Sequence, residues 1–357
     1  MFVAVKRLNG DSMQGHAEFL QEVQVLGACR HPNVLALIGF SADRGSTQED
    51  DGVCLVTPLM KGGSLEDRLL LNPQALHRLD QMPGAPPAAG WVPLTWQQRL
   101  LALRGALAGL DYLHTPDPVT HKPQILHRDI KPSNIFLDAD EQARLGDLGL
   151  ARQQRPATDN VTTMTSIAGT NGFIDEYYQA TGRFDAAADG YAMGVTVLAT
   201  LTGWPAVDPV RGKLDARCDV RGDARIVSIA DERAEWPREL AIALHTVGMA
   251  LVKRNRQRRT TVREAKERVQ TLVDMHLPPA PPEHRIVERE CILCMSAPRH
   301  VRFACGHSAI CQGCLDPFLR STHRPVCPHC REPVARGGMV QSDAVASEDT
   351  FVHPLRP

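Results

Sequence analysis

The chain has 357 residues, 43% of them apolar and 23% charged, with a formal net charge of −1. That length accommodates one large domain and a small one. The near-zero charge gives no reason to expect nucleic acid or an acidic membrane surface as a partner, and no apolar run reaches the roughly 18 residues of a membrane helix. The opening Met1-Phe2-Val3-Ala4-Val5-Lys6 is too short an apolar stretch to read as a secretory signal. Seven of the ten Cys fall in one pattern near the C-terminal end, leaving Cys29, Cys54 and Cys218 scattered. That is metal usage rather than a disulfide framework. It points to a reducing compartment, with the cytoplasm the default and the nucleus open.

In chain order, Val3-Ala4-Val5 reads as a strand. Residues 17–29 carry Phe19, Leu20, Val23 and Leu26 at helical spacing. Residues 45–52 are polar and acidic and read as a loop, and Val53-Cys54-Leu55-Val56 as a short buried strand. Residues 72–93 include Pro83-Gly84-Ala85-Pro86-Pro87-Ala88-Ala89-Gly90 and read as a surface insertion. Thr95 is suited to cap a helix over 96–114, with Leu100, Leu103, Leu107 and Leu110 along one face. Residues 188–201 are apolar enough for a buried helix, and 261–275 are amphipathic. A few strands followed mostly by helices make an α+β domain over residues 1–277. Pro278-Pro279-Ala280-Pro281-Pro282 opens a stiff spacer over 278–287. A second, small domain over 288–335 follows, and the polar, aperiodic tail 336–357 is expected to be disordered.

The most specific chemistry lies in the string His127-Arg128-Asp129-Ile130-Lys131-Pro132-Ser133-Asn134, followed by Asp147-Leu148-Gly149. It gathers a proton acceptor, a cation and two oxygen ligands for a divalent metal. Phosphoryl transfer from ATP needs those parts, because its catalysis is mostly positioning and charge neutralisation. Alone, an Asp-Leu-Gly is a common turn and a lysine at a strand end a solvated tip. The weight comes from joint occurrence in order, together with Val3-Ala4-Val5-Lys6, Phe19-Leu20-Gln21-Glu22-Val23, His31-Pro32-Asn33, Gly62-Gly63-Ser64-Leu65, Gly169-Thr170 and Asp189-Gly190-Tyr191.

These pieces resemble a protein kinase over roughly residues 2–277. Leu55-Val56-Thr57-Pro58-Leu59-Met60 and Leu107-Ala108-Gly109-Leu110-Asp111-Tyr112-Leu113-His114 are most similar to plant receptor-like kinases and the interleukin-receptor-associated kinases. The resemblance implies a two-lobed fold with a helical large lobe. It also implies ATP and magnesium as cofactors and a protein as substrate. Lys6 would hold the α- and β-phosphates and Glu22 would pair with it. Asp129 would accept or orient the substrate hydroxyl proton. Lys131, as in the serine/threonine branch, would neutralise the γ-phosphate. Asn134 and Asp147 would hold magnesium. Thr57 resembles the residue beside the adenine, and Pro58 to Met60 the hinge, where Pro58 supplies no amide hydrogen. Arg128 beside the base implies regulation by a phosphate on the activation segment, at Thr162, Thr163, Thr165 or Ser166. Glu176 resembles the buried glutamate that ends that segment, with Arg259 its expected partner. Asp189 resembles the buried aspartate that ties down the catalytic loop.

The chain departs from the family pattern in three places. No Gly-x-Gly-x-x-Gly loop is found, so an incomplete small lobe with an exposed sheet edge is expected. A truncated active ancestor is the favoured explanation, and a weakened or inactive kinase the alternative. Ile174-Asp175-Glu176 lacks the usual proline before the glutamate, and Leu148 replaces phenylalanine.

Near the other end, the order is Cys291-x2-Cys294, Cys305-x-His307, Cys311-x2-Cys314, Cys327-x2-Cys330. Thiolates and imidazole suit tetrahedral zinc, and eight ligands serve two closed Zn2+ sites. A module this small needs the metal for its folding energy. The order resembles a RING finger. The resemblance implies interleaved pairs, with Cys291, Cys294, Cys311 and Cys314 on one ion and Cys305, His307, Cys327 and Cys330 on the other. It further implies a ubiquitin-conjugating enzyme as partner, met by Ile292, Pro328 and Arg331, with ubiquitin itself as a second contact. The expected function is a serine/threonine kinase combined with a RING-type ubiquitin ligase. A non-catalytic kinase fold presenting targets to the RING, and a scaffold in which neither part turns over, are the alternatives.

Overall fold

The computed structural model describes residues 2–7, 13–44, 51–83, 90–154, 162–163, 167–277, 291, 293, 301–302, 308–321 and 340–341. The chain divides into two compact units, Phe2–Pro278 and Pro279–Pro357, the latter joined by Met1. The predicted spacer 278–287 lies outside the described residues.

The larger unit begins with β1 (Val3–Arg7), α1 (Met13–Ala28), β2 (Gly39–Arg44) and β3 (Asp51–Pro58). The strands form an antiparallel sheet in the order β1-β3-β2. The register pairs Ala4 with Thr57 and Lys6 with Leu55. Directly opposed residues share a face, so Lys6, Leu55 and Thr57 lie on one side of the sheet. Phe19 of α1 packs on Leu55 from that side. The helix starts before the expected residue 17, and its inward stripe is Phe19, Glu22, Val25 and Leu26, whereas Leu20 is 47% exposed. β3 is likewise longer than expected and takes Asp51 and Gly52 from the predicted acidic loop.

β4 (Gly63–Ser64) leads into α2 (Leu65–Leu70), α3 (Pro73–Asp80) and α4 (Trp96–His114). Helix α3 corrects the reading of residues 72–93 as an insertion. Asn72 caps it through the Ala75 amide at 2.8 Å, and Pro73 occupies the first turn, where a missing N–H is harmless. Thr95 and Gln98 close a capping box on α4, and Leu100, Leu103, Leu107 and Leu110 are fully buried. Asn33 docks on α4 where the helix has no side chains. A Cβ on Gly105 would lie 2.8 Å from Asn33 Nδ2, and one on Gly109 would collide with the Asn33 carbonyl. Asn33 is pinned there by bonds from its Nδ2 to Ala143 O (2.9 Å) and from Leu145 N to its own carbonyl (2.9 Å).

Short strands carry the loops that follow: β5 (Gln124–Leu126), β6 (Ile135–Leu137), β7 (Ala143–Leu145), β8 (Arg152–Gln154) and β9 (Thr162–Thr163). They pair as β4-β6-β7 and β5-β8. The rest is mostly helical: α5 (Glu176–Thr181), then β10 (Arg183–Phe184), which pairs with β9, and α6 (Ala186–Thr202). The hairpin β11 (Val207–Asp208) and β12 (Gly212–Lys213) precedes α7 (Leu214–Arg217), α8 (Asp223–Ile229), α9 (Arg238–Leu251) and α10 (Val262–His276). Helix α6 is buried along nearly its whole length, as its composition predicts.

One ion pair crosses this core. The Arg99 side chain is fully buried and donates from Nε to Leu94 O (3.0 Å) and from its terminal nitrogens to Thr200 O (2.9 Å) and Asp231 Oδ2 (2.7 Å). Burial pushes the guanidinium below its ordinary value against the pull of Asp231. Arg99→Met strands part of that carboxylate, and losing one partner of a buried pair typically costs about 3–5 kcal/mol. Arg233 also bonds Asp231, at 2.9 Å and 2.8 Å, so a loss near the lower figure is expected. The shift of the denaturant midpoint measures it.

In the smaller unit, β13 (Val301–Arg302), β14 (Ser308–Ile310), α11 (Gln312–Ser321) and β15 (Val340–Gln341) are described. The sheet order is β14-β13-β15. Val340 and Gln341 lie in the stretch expected to be disordered, and pair instead with Arg302 and Val301. The ladder supplies the order that composition alone does not. Cys291, Val301, Ile310, Cys311 and Leu315 form its core.

Candidate functional site

Two elements converge on Lys6 of β1. Its Nζ is 2.9 Å from Glu22 Oε2 of α1 and 2.6 Å from Asp147 Oδ1, in the loop after β7. Burial lowers the ammonium pKa, but the two carboxylates outweigh it and raise it overall. Glu22 is buried, and that burial raises its carboxyl against the lowering effect of Lys6. Asp147 sits in the left-handed region at φ 57°, a conformation that aspartate tolerates better than most residues. Next to it Leu148 is fully buried in the core, so the leucine keeps the apolar contact expected of phenylalanine.

The second cluster surrounds Asp129. Lys131 Nζ lies 2.7 Å from Asp129 Oδ2, and the Thr170 hydroxyl donates to Asp129 Oδ1 at 2.7 Å. Lys131 Nζ donates to the same hydroxyl at 2.8 Å. Burial pushes the Asp129 carboxyl up, but the hydrogen bonds from Lys131 and Thr170 and the charge of Lys131 hold it below the usual value. Asn134 Nδ2 donates to Asp129 O (2.8 Å) and Oδ2 (3.2 Å). That leaves the amide oxygen as the acceptor available to a cation. The Asn134 carbonyl accepts from Gly146 N at 3.0 Å, joining this cluster to Asp147. Buried His127 makes the same connection from below: its Nε2 donates to Gly146 O (3.1 Å) and its Nδ1 accepts from Asp129 N (3.3 Å). Burial pushes its imidazole down, which keeps the ring neutral with its proton on Nε2.

Thr170 is the residue that sequence reasoning passed over. The Gly169-Thr170 dipeptide marks the position, but its hydroxyl was not assigned to the base. At the other side of the cleft, Thr57 is half-buried on the Lys6 face, and Met60 is buried at the turn where Gly63 N donates to Met60 O (3.0 Å). The donor set fits magnesium, since a carboxylate and a side-chain amide oxygen are hard ligands.

Supporting residues sort differently from expectation in one case. Asp189 accepts from His127 N and Arg128 N, both at 2.8 Å, the tie expected of it. Glu176, however, is not the buried partner of Arg259. Its side chain is 58% exposed and lies 3.6 Å from Lys213. Asp175 takes that place, fully buried and bonded by both Arg259 terminal nitrogens at 2.9 Å. Without the proline, α5 begins at Glu176 and Asp175 becomes its cap, accepting from Tyr177 N. The cap faces inward and the first helical residue outward. Of the hydroxyls expected to carry phosphate, Thr162 and Thr163 form β9, while Thr165 and Ser166 lie outside the described residues.

In the smaller unit, the ligand atoms of Cys291, Cys311 and Cys314 lie within 4.8 Å of one another. These are three of the four residues expected on one ion, drawn from both cysteine pairs, and three thiols in one partly buried group fit zinc. Cys294, Cys305, His307, Cys327 and Cys330, like Ile292, Pro328 and Arg331, lie outside the described residues.

Comparison with known proteins agrees with both units. A family model described as "Protein kinase domain" matches residues 1–269, and one described as "Zinc finger, C3HC4 type (RING finger)" matches residues 287–337. The "Probable serine/threonine-protein kinase PBL8" of Arabidopsis thaliana is 36% identical over 239 residues, which is 65% of this chain and 51% of that protein. The "Serine/threonine-protein kinase BIK1" of the same plant is 33% identical over 282 residues, 77% of this chain and 65% of that protein. The "Receptor-like cytoplasmic kinase 176" of Oryza sativa subsp. japonica is 34% identical over 257 residues, 70% of this chain and 58% of that protein. The matched segments thus span between half and two thirds of the length of these relatives.

Proposed function

The chain belongs to the protein kinase family and carries a RING-type zinc finger, and from that premise we propose that it is both a serine/threonine protein kinase and a RING-type ubiquitin-protein ligase. The observation that carries the first half is the Asp129 cluster. An ionised carboxylate with a lysine and a threonine hydroxyl at 2.7 Å has the make-up of a base beside a charge-neutralising cation. Magnesium-bound ATP supplies the phosphoryl group. Lys6 holds the α- and β-phosphates, Asn134 and Asp147 supply the magnesium ligands, and Thr57 and Met60 border the adenine. Asp129 orients the incoming serine or threonine hydroxyl and takes its proton as the new P–O bond forms and the bond from the γ-phosphorus to the bridging oxygen breaks, the electron pair leaving with ADP. Lys131 offsets the charge on the γ-phosphate.

For the second half, the cysteine cluster of the smaller unit supports a module folded on two Zn2+. Ile292, Pro328 and Arg331 would meet the ubiquitin-conjugating enzyme, and Arg331 also ubiquitin. The protein substrate and the cytoplasm as its site of action belong to the same reading.

Two assays test it on the full chain. With magnesium and labelled ATP, phosphoserine and phosphothreonine should form, and Asp147→Asn, which removes a metal-binding charge, should reduce the yield at least about a hundred-fold. Label that persists in that variant, or appears only on tyrosine, overturns the kinase assignment. With a panel of conjugating enzymes, ubiquitin chains should form and be lost in Ile292→Ala and Arg331→Ala. If phosphorylation fails while chains still form, the larger unit presents substrate without modifying it.

A further inference from the structure

Arg128, adjacent to Asp129, is expected to await a phosphate on the activation segment, yet its guanidinium is already engaged. One terminal nitrogen donates to Leu150 O (3.1 Å) and the other to the Tyr178 hydroxyl (3.2 Å). The guanidinium carbon also lies over the Phe184 ring, 5.7 Å from its centroid. Tyr178 belongs to the first half of α5 and is 1% exposed, in a cluster with Leu126, Phe184 and Ala188. Its ring meets Phe184 edge-on at 4.8 Å, which fixes where the hydroxyl points.

The same hydroxyl accepts a second bond, from Ala168 N at 3.0 Å. Ala168 lies two residues before Thr170, the residue bonded to Asp129. Between them Gly169 adopts φ 124°, and a Cβ there would stand 3.1 Å from Arg128 O, so the segment closes directly onto the catalytic loop. One oxygen atom thus ties both the residue beside the base and the strand of chain that delivers Thr170 to it. Arg128 itself holds φ 73°, a left-handed conformation that persists only where its surroundings enforce it.

We infer that the Tyr178 hydroxyl is a positioning group for phosphoryl transfer, occupying Arg128 and the Ala168 amide together so that Asp129 and Thr170 stay aligned without a phosphate on the activation segment. This rests on the kinase reading given above. Catalysis by the unmodified chain follows from it, with Tyr178 standing in for the anion that Arg128 would otherwise require.

The test uses phosphatase-treated full-length protein, with its phosphate-free state verified by intact mass. Tyr178→Phe should lower kcat about ten-fold, the effect of losing one hydrogen bond to a charged group, and leave KM for ATP within about two-fold. The thermal midpoint should hold, and amide exchange at 168–170 should quicken while that of α4 does not. Arg128→Met probes one of the two ties from the other side, and the double variant should fall below Arg128→Met alone, because only Tyr178→Phe frees the Ala168 amide, but by less than the full Tyr178→Phe factor. Replacing Thr162, Thr163, Thr165 and Ser166 together by Ala should leave kcat within about two-fold. Unchanged kcat and unchanged exchange in Tyr178→Phe overturn the inference. So does an untreated wild type that loses its activity when the phosphate is removed. Should the wild type show no Asp147-dependent transfer at all, the kinase reading is what fails, and the exchange rates still decide whether Tyr178 holds the segment.

Discussion

Asp129→Asn will slow phosphoryl transfer about a thousand-fold while ATP affinity changes little, within the range by which a positioned base accelerates proton transfer. The amide keeps the size of the carboxylate and can still accept from the Thr170 hydroxyl, so the cluster keeps its shape. What disappears is the charge that faces Lys131 at 2.7 Å and the capacity to take the substrate proton. In the proposed reading, nucleotide contacts belong to other residues, among them Lys6, Asn134 and Asp147. Single-turnover rates and nucleotide titrations of both proteins separate the two effects, and a parallel loss of affinity would show that Asp129 instead shapes the nucleotide site. The pH profile gives an independent check. Burial raises the Asp129 carboxyl, yet Lys131 and Thr170 bring it below the usual value. The group therefore stays ionised as pH falls, at least to the ordinary aspartate value of about 3.9. No loss of rate between pH 7 and about pH 5 should trace to Asp129.

Zinc removal will divide the molecule's behaviour in two. Among the described residues, the smaller unit gathers its buried apolar side chains around Cys291 and Cys311, and a module of its size does not offset the entropy of ordering it by apolar burial alone. A structural zinc in such a module contributes on the order of 10–16 kcal/mol of apparent binding energy. Chelation should abolish ubiquitin transfer and open residues 291–341 to protease, while the unfolding transition of residues 2–277 stays in place. Cys291→Ser should act more selectively. It removes a thiol from the group that includes Cys311 and Cys314, so bound metal should drop from about two ions per chain to about one or fewer. A full complement of zinc in that variant would show that Cys291 is not a ligand.

The residues proposed to meet the nucleotide were the most legible. Lys6, Asp129, Asn134 and Asp147 stand in unbroken strings whose order leaves little freedom, and the fold brings them together as two linked clusters. Contacts made by one atom across the fold were less visible. Nothing in the composition around Thr170 says that its hydroxyl reaches Asp129; only the presence of Lys131 two residues after the base hints at a shared partner. Helix α3 was hidden by its own first residue, because a proline that initiates a helix looks the same as one that breaks a loop. The exchange of Glu176 for Asp175 depends on where α5 begins, a one-residue question that decides which acid faces inward. Strand β15 owes its existence to a ladder with β13, and pairing with a distant partner leaves no periodicity to read over two residues.

The lodging of Asn33 in the bare groove of α4 fixes the register between the two. Helix α1 is fastened at its C-terminal end, where Val25, Leu26 and Cys29 join the core shared with α4. A segment packed at that end and notched into its neighbour resists sliding along α4, because Gly105 and Gly109 are where the helix leaves room for Asn33. Glu22 lies on α1 and Lys6 on β1, while Asp147 follows β7, the strand whose Leu145 amide bonds the Asn33 carbonyl. The Lys6–Asp147 separation is 2.6 Å, and for two spectroscopic labels flanking that gap the notch predicts a change in angle, not a translation along α4, when nucleotide binds.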